Sequence, residues 1–216
     1  MKILKPDASY TFRSFFEMPY DPDEILAEFG YSYTQARLSL PRTTQALVGL
    51  NTLKTQIEET LPYVQLTSET AKREVLVAPV LLRVATTCHQ ILRFEYPLKV
   101  NNWLQGNLDY LIRSRQQVIV IEAKRDDLTR GFTQLAVEMI ALATAEDEAD
   151  SPASGPTSSS PYIYGAVTMG SLWIFGQLEK SKKHIIQGIG GYQIPDDIED
   201  LVRVLVGILE EKQDDT

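Results

Sequence analysis

The sequence predicts an α/β domain with a mixed central β-sheet flanked by helices, and three observations support this. Hydrophobic residues make up 44% and charged residues 23% of the 216-residue chain, which is the balance of a globular protein with a buried core. From residue 68 onward, segments with strand periodicity alternate with segments of helical periodicity. No window approaches about 18 uninterrupted apolar residues, so we expect a cytoplasmic protein without a membrane span.

We interpret residues 1–67 as an N-terminal extension with a helix, a strand and a second helix. The stretch "YDPDEILAEFG" offers Asp21 or Asp23 as an N-cap and Gly30 as a stop. "YSYTQARLSLP" alternates as a strand does, and "TTQALVGLNTLKTQIEETLPYV" is typical of a helix. We expect residues 1–44 to form a separate element.

The core is predicted to span residues 68–216 and to begin with a helix and three strands. "SETAKREVLVAPVLLRVATTCHQ" is a helix with a Ser cap, and Pro79 inside it predicts a kink. The strands are "ILRFEYPLKV", "NLDYLIRS" and "QVIVIEAK". The last two are predicted to form a hairpin that turns around residues 114–116.

The second half of the core alternates again. "LTRGFTQLAVEMIALATAE" has helical spacing, and the polar stretch that follows predicts a mobile loop near residues 146–160. "PYIYGAVTMGSLWIFGQLEK" predicts two strands with a turn at residues 169–171, and "KKHIIQGIGGYQI" a further strand. "PDDIEDLVRVLVGILEE" predicts a closing amphipathic helix that starts at Pro195.

Charge and cysteine content exclude several classes of protein. The net charge of −8 and pI of about 4.9 argue against a basic nucleic-acid-coating protein. Residues 69–140 are an exception, because their 10 Lys/Arg and 8 Asp/Glu give +2 and leave −10 for the rest. Cys88 is the single cysteine, which rules out an intramolecular disulfide and makes a cysteine-based zinc site a poor candidate.

Three charged residues at the predicted hairpin carry the strongest chemical signal. Side chains alternate between the faces of a strand, so Glu122 and Lys124 in "VIVIEAK" point the same way. Asp109 in "GNLDYLI" can reach that side from the preceding strand, and because Asp is depleted in strands, its presence there favours a functional role. Two carboxylates and an ammonium group at one place suit Mg²⁺ or Mn²⁺ together with a phosphate.

This arrangement resembles the PD-(D/E)XK nuclease superfamily, whose restriction-endonuclease-like fold carries an acid on one strand and Glu/Asp-x-Lys on the next. The superfamily's Pro is replaced by Leu108. "YGAVTMGSLWIF" is similar to paired strands in the amino-terminal nuclease domain of type I restriction motor subunits. The resemblance covers roughly residues 68–208.

The resemblance implies a role for each matching residue. Asp109 and Glu122 would bind the metal, the Ala123 carbonyl would add a ligand, and Lys124 would assist the nucleophilic water. Glu74 matches a glutamate on the first core helix of many members, and Gln134 matches a glutamine on the helix after the Lys strand. The implied activity is metal-dependent hydrolysis of phosphodiester bonds, with DNA as the expected partner.

Simpler interpretations stay open for individual residues. Glu122 and Lys124 alone could form an exposed ion pair worth little. Glu74, which precedes Val77 and Leu81 at helical spacing, is predicted to share their buried side, as a metal ligand or as the partner of a basic residue.

Weaker candidates and a rival function complete the predictions. Glu138 is expected at the surface and Glu95 at a solvated strand edge, while Arg125 and Arg130 could contact phosphates. The rival function is a non-catalytic binding or assembly module that keeps the nuclease fold. A homodimer is a further expectation, because cutting both strands of a duplex needs two sites.

Overall fold

Seven strands form one mixed sheet between two layers of helices in the computed structural model, which describes residues 2–114, 118–124, 127–149 and 160–210. The strands are β1 (Ser32–Ala36), β2 (Leu92–Lys99), β3 (Gln105–Arg113), β4 (Val118–Ala123), β5 (Tyr162–Thr168), β6 (Leu172–Glu179) and β7 (His184–Gln193). The helices are α1 (Phe12–Glu17), α2 (Pro22–Ala27), α3 (Leu50–Thr60), α4 (Glu69–Lys72), α5 (Ala78–Cys88), α6 (Leu128–Ala149) and α7 (Ile198–Glu210). The predicted α/β class with a mixed, helix-flanked sheet is confirmed.

The strand order in the sheet is β1-β7-β6-β5-β4-β3-β2. The β1/β7 and β4/β5 pairs are parallel and the other pairs are antiparallel. The parallel β4/β5 pair needs a crossover connection, which α6 provides. The end of β4 therefore lies next to the central strand, β5, and close in sequence to the beginning of α6.

Each face of the sheet has its own hydrophobic core. Helices α3, α5 and α7 cover one face, whereas α1, α2 and α6 cover the other. Helix α6 is buried on every side from residue 131 to residue 143. A helix that is buried all round lies inside a protein rather than on its surface. The layer of α1 and α2 over α6 accounts for this burial.

The N-terminal residues are integrated with the rest of the chain, which corrects the expectation that residues 1–44 form a separate element. β1 pairs with β7 in the common sheet, and Phe12 and Phe15 of α1 are fully buried. Gly106 of β3 has φ +146°, and a Cβ there would lie 2.8 Å from the Phe12 ring. The absence of a side chain at this position lets α1 approach the sheet closely.

The predicted kink of the helix from residue 68 to residue 90 takes a different form. A π-helical turn (Arg73–Val77) connects α4 to α5, and its last hydrogen bond runs from the Ala78 N–H to the Arg73 carbonyl. Pro79 follows in the first turn of α5, but Val77 before it is already helical, so the missing Pro79 N–H removes a hydrogen bond within a continuous helical stretch. The irregularity is therefore placed before the proline.

Smaller differences concern the ends of elements. Helix α1 was not predicted, α3 begins only at Leu50, and α7 begins at Ile198 rather than Pro195. Helix α6 continues to Ala149, so the first residues of the predicted mobile loop are helical. The rest of that loop, residues 150–159, lies outside the described residues, as does the predicted turn at residues 115–116.

Candidate active-site cleft

Strands β3 and β4 bring Asp109 and Glu122 to the same side of the sheet. The antiparallel register pairs Tyr110 with Ile121, and continuing it by one residue places Asp109 opposite Glu122. Directly opposed residues of an antiparallel pair point to the same face. Asp109 Oδ2 also accepts a hydrogen bond of 2.9 Å from the Ala123 N–H, which ties this carboxylate to the end of β4.

Lys124 is the first residue after β4, and its backbone is still held by the sheet. Its N–H donates to the Thr168 carbonyl at 2.7 Å. Its Nζ forms a short ion pair with Glu122 Oε1 and lies 4.9 Å from the centroid of the Phe16 ring. The predicted alternation that puts Glu122 and Lys124 on one side is therefore confirmed.

Helix α6 adds an amide and a third carboxyl group beneath Glu122. Gln134 Nε2 donates to Glu122 Oε1 at 2.7 Å and to Glu138 Oε1 at 2.8 Å. Glu138 is completely buried, so the prediction of a surface position for it is wrong. One amide thus links two buried carboxyl groups that would otherwise repel each other.

Arg73, in the π turn, forms the opposite wall of the site. Its Nη2 donates to Glu95 Oε1 at 2.7 Å, its Nε donates to Tyr110 Oη at 3.2 Å, and its Nη1 lies 3.5 Å from Asp109 Oδ1. The contact with Glu95 means that this residue, expected at a solvated edge, faces the site. Arg73 thereby joins the helical layer to the acids of β2 and β3.

Burial shapes the protonation of these groups. Burial, followed by the charge of Asp109, raises the pKa of Glu122 to about 8, against the opposing effect of Lys124. Burial and then Glu122 raise the pKa of Glu138 well above its ordinary value. Burial also raises the pKa of Asp109, against the Ala123 N–H and Arg73. Without a metal ion, all three carboxyl groups therefore favour the neutral, protonated form.

The surroundings of Lys124 favour its charged form. Burial alone would lower the pKa of its ammonium group, but Glu122, Asp109 and Glu138 together raise it. The raised pKa keeps Lys124 positively charged, so this residue acts as a cation and not as a proton acceptor.

These groups open into a cleft of about 590 Å³, which we call the cleft throughout. It is lined by residues from the N-terminal extension, the first core helix and strands β2 to β4, together with α6: Thr11, Phe12, Arg13, Phe16, Glu69, Arg73, Glu95, Gly106, Asn107, Asp109, Glu122, Lys124 and Gln134. The N-terminal extension, for which sequence analysis predicted no function, therefore forms one wall.

Four of the five predicted catalytic residues meet in the cleft, and Glu74 does not. Glu74 is exposed and is absent from the cleft lining, where Glu69 and Arg73 represent that helix. The prediction assumed the regular helical period up to Val77. The π turn inserts an extra residue into that period and rotates Glu74 away from the buried side.

Arg130, expected as a phosphate contact, lies outside the cleft. Arg130 is exposed, lies 3.5 Å from Asp127 and is not among the lining residues. Arg125 lies outside the described residues.

Three contributing residues were missed by sequence reasoning. Glu138 follows Gln134 by one helical turn, and the apolar residues around both positions of α6 were an available signal of burial. No sequence signal pointed to Arg73 or Phe16, because their positions depend on packing between distant segments.

The donor set suits a hard divalent cation, and unpaired oxygens lie next to it. Glu122 Oε2 and Glu138 Oε2 are buried without a hydrogen-bond partner. Unpaired buried carboxylate oxygens are costly unless a cation or a proton satisfies them. The described residues contain no cluster of three or more His, Cys, Asp or Glu that could hold a metal. An ion here would therefore rely on two carboxylates plus water and substrate oxygens, as Mg²⁺ commonly does.

Comparison with known proteins leaves the chain unassigned. Among its described helices, none combines the length and apolar character needed to span a membrane. No protein-family model, no curated protein and no solved structure matches this chain, so the chemistry of the cleft is the basis for assigning a function.

Proposed function

We propose that the chain is a metal-dependent nuclease of the restriction-endonuclease-like type that hydrolyses phosphodiester bonds, with DNA as its substrate. The observation that carries the proposal is the convergence of Asp109, Glu122 and Lys124 at one end of β4. The Glu122–Lys124 ion pair and the bond from Ala123 N–H to Asp109 hold the three together.

The excess of carboxyl groups supports a cation site. Among the described residues, Asp109, Glu122 and Glu138 face two cations, Lys124 and Arg73, and Arg73 also binds Glu95. Buried carboxyl groups that outnumber the cations around them cost roughly several kcal/mol, and carboxyl groups with such perturbed pKa values are typical of functional sites. A divalent cation would relieve this excess.

Each residue has a defined task in the proposal. Asp109 and Glu122 would hold Mg²⁺ or Mn²⁺, with the Ala123 carbonyl as a further candidate ligand. Bound there, the metal would polarise the phosphoryl group and lower the pKa of a coordinated water. Lys124 supplies a fixed positive charge for the phosphoryl oxygens, and Gln134 fixes the orientation of Glu122.

Hydrolysis adds the oxygen of a water molecule to phosphorus while the ester P–O bond breaks. The products are a phosphomonoester and a hydroxyl group, between which the two hydrogens of the water are distributed. Glu74 has no part in this proposal, because it is exposed and lies outside the cleft.

The direct test is a cleavage assay on single-stranded and duplex DNA with Mg²⁺ or Mn²⁺. Asp109→Asn and Glu122→Gln keep the shape of the site and remove its charge. We expect each to lower the cleavage rate by roughly 10²- to 10⁴-fold. Glu146→Gln is the matched control, since it alters a buried glutamate of α6 outside the cleft. Undiminished cleavage by both cleft variants would reject the proposal.

A non-catalytic binding or assembly module is the second candidate, and the charge of the molecule favours it. The net charge of −8 disfavours the broad phosphate contacts that many nucleases use. Calorimetric titration with Mg²⁺ separates the two candidates. A nuclease should bind the ion in the wild-type chain and lose binding in Asp109→Asn, whereas a module without this chemistry need not bind it. The expected homodimer stays a prediction that light scattering can check.

A further inference from the structure

Phe16 gives the cleft an aromatic surface next to Lys124. It is half-buried and lines the cleft, and Lys124 Nζ lies over its ring, 4.9 Å from the centroid, so a base would stack on the opposite face of the ring. Phe12 is the other aromatic residue among the described lining residues, and it is only 1% exposed. Phe16 is therefore the ring in this wall that a ligand can reach.

The helix that carries Phe16 is firmly anchored. Phe15, the adjacent residue, is fully buried, and Phe12 packs on the backbone of Gly106. At the start of α1, the Thr11 N–H donates to Ser14 Oγ at 3.1 Å. The ring is thus presented on a fixed support, which lowers the entropic cost of binding a ligand against it.

The size of the cleft restricts what can reach the carboxylates. Its volume of about 590 Å³ is in the range of sites for small molecules, and Glu122 at its floor is only 1% exposed. The base of a paired nucleotide is held inside the duplex stack, so placing a base on Phe16 requires unpairing in a duplex but not in a single strand.

The charge of the cleft indicates that phosphate attraction is not the main source of affinity. Its described lining residues include three cations and four acids, which gives a net charge of −1: Arg13, Arg73 and Lys124 against Glu69, Glu95, Asp109 and Glu122. Duplex binding without sequence preference depends on a cationic surface. Single-strand binding has a second source of affinity in the stacking of bases on aromatic side chains.

We propose that the cleft takes single-stranded nucleic acid, with an unpaired base stacked on Phe16 while the adjacent phosphate lies beside Lys124. This inference rests on the proposed phosphodiester chemistry and adds the class of substrate. Phe16 is the specificity-determining residue in this proposal, and it takes no part in bond breaking.

The test measures binding, not cleavage, in EDTA so that no divalent ion is present. Fluorescence anisotropy compares three probes: a labelled oligothymidylate, an abasic oligonucleotide of the same length and charge, and a duplex. We expect the wild-type chain to prefer the oligothymidylate. Phe16→Ala should weaken that binding by roughly 5- to 100-fold and abolish the difference between the thymidylate and abasic probes.

Two further variants show whether the ring itself is responsible. Tyr63→Ala removes an aromatic side chain that is 88% exposed and outside the cleft, so it should bind all probes as the wild type does. Phe16→Trp keeps a stacking surface and should restore the preference for bases. The proposal is overturned if the abasic or duplex probe binds as tightly as the thymidylate, if Phe16→Ala keeps the preference, or if no probe binds.

The result of the binding assay can be distinguished from the result of the cleavage assay. Base-dependent binding through Phe16 without any cleavage in Mg²⁺ or Mn²⁺ would retain the ligand class and reject the nuclease. Cleavage that depends on Asp109, but not on Phe16 or on whether the DNA is single-stranded, would retain the nuclease and reject the proposed ligand class.

Discussion

Two buried glutamate–lysine pairs, one at each end of α6, show what distinguishes the cleft from the rest of the molecule. Glu122 pairs with Lys124 in the cleft, and Glu146 pairs with Lys180 outside it at 2.6 Å. Burial of the two pairs is similar, since the lysine side chains are 13% and 18% exposed and the glutamates 2% and 3%. The surroundings of the two pairs differ.

Glu146 has a surplus of positive charge around it. Arg113 Nη2 lies 3.4 Å from Glu146 Oε1, an oxygen that has an ion-pair contact but no hydrogen bond, so one carboxylate faces two cations. Glu122 instead shares Lys124 with Asp109 and Glu138. The structural pair has its charge balanced by its own side chains, whereas around the cleft pair the described carboxyl groups outnumber the described cations. The surplus of carboxylates, more than the ion pair itself, marks the site.

The largest expected effect on DNA cleavage comes from replacing Lys124, and replacing Lys180 is the matched comparison. Lys124→Met is expected to lower DNA cleavage by roughly 10²- to 10⁴-fold, because the cleft loses the cation that faces the phosphoryl group. Lys180→Met should cleave as the wild type does but lose about 3 kcal/mol of unfolding free energy, because Glu146 keeps only its longer contact with Arg113. Cleavage rates and urea denaturation measure both quantities. Equal loss of cleavage in the two variants would abolish the distinction.

The part of this site that follows from sequence is the part fixed by local chain geometry. Strand alternation placed Glu122 and Lys124 together, and hairpin register added Asp109, because both depend on residues close in sequence. The same reasoning found the sheet and its flanking helices. It did not anticipate that β1 joins the sheet, because pairing with β7 spans about 150 residues of chain.

The errors concern helix faces, which depend on what lies against them. Glu138 was expected at the surface because sequence alone does not show that α1 and α2 cover α6. Glu74 was expected in the site because sequence alone did not reveal the π turn that rotates it outward. In both cases tertiary packing decided the position of a residue whose own neighbours in sequence were compatible with either face.

The second-largest expected effect is a pH dependence of folding stability that follows from the raised pKa of Glu122. Burial, then Asp109, takes this pKa from 4.5 to about 8. Between these values the folded protein holds a proton that the unfolded chain has released, so stability is fully present below pH 4.5 and lost as pH rises through 8. Without metal, the unfolding free energy should fall by roughly a few kcal/mol between pH 4.5 and about 8.

Two variants and added metal sharpen this measurement, which can follow the fluorescence of the buried Trp173 in urea. Glu122→Gln should flatten the decline, whereas Glu146→Gln should retain it. Excess Mg²⁺ should also reduce the decline in the wild type, since metal and proton compete for the same carboxylates. Identical slopes in the wild type and Glu122→Gln would show that Glu122 is not the titrating group.

A smaller effect should come from the close approach of α6 to the cleft lysine. A Cβ added at Gly131 would lie 2.8 Å from Lys124 Cγ and 2.9 Å from Val167 Cγ2. Gly131→Ala should therefore displace Lys124 and lower cleavage by about tenfold, at a stability cost of about 1–3 kcal/mol. Gly190→Ala is the control, because no atom lies within 4 Å of a Cβ there. Cleavage kinetics at wild-type level for Gly131→Ala would mean that the position of Lys124 is unimportant.

The smallest effect should come from the amide that links the two buried glutamates. Gln134→Met removes the bonds from Nε2 to Glu122 and Glu138 but keeps a side chain of similar length. Glu122 then loses its fixed orientation and keeps only Lys124, so Mg²⁺ affinity and cleavage should each fall by about tenfold.

Gln187→Met is the matched control for this change. Gln187 is also buried, accepts a hydrogen bond from Tyr33, and lies on β7 outside the cleft. Its replacement should lower stability and leave calorimetric Mg²⁺ binding intact. If Gln134→Met bound Mg²⁺ as tightly as Gln187→Met, the amide would have a structural role only, as the bridge between the two carboxyl groups. The Glu122–Lys124 pair would then resemble the structural Glu146–Lys180 pair in spite of the additional carboxyl groups around it.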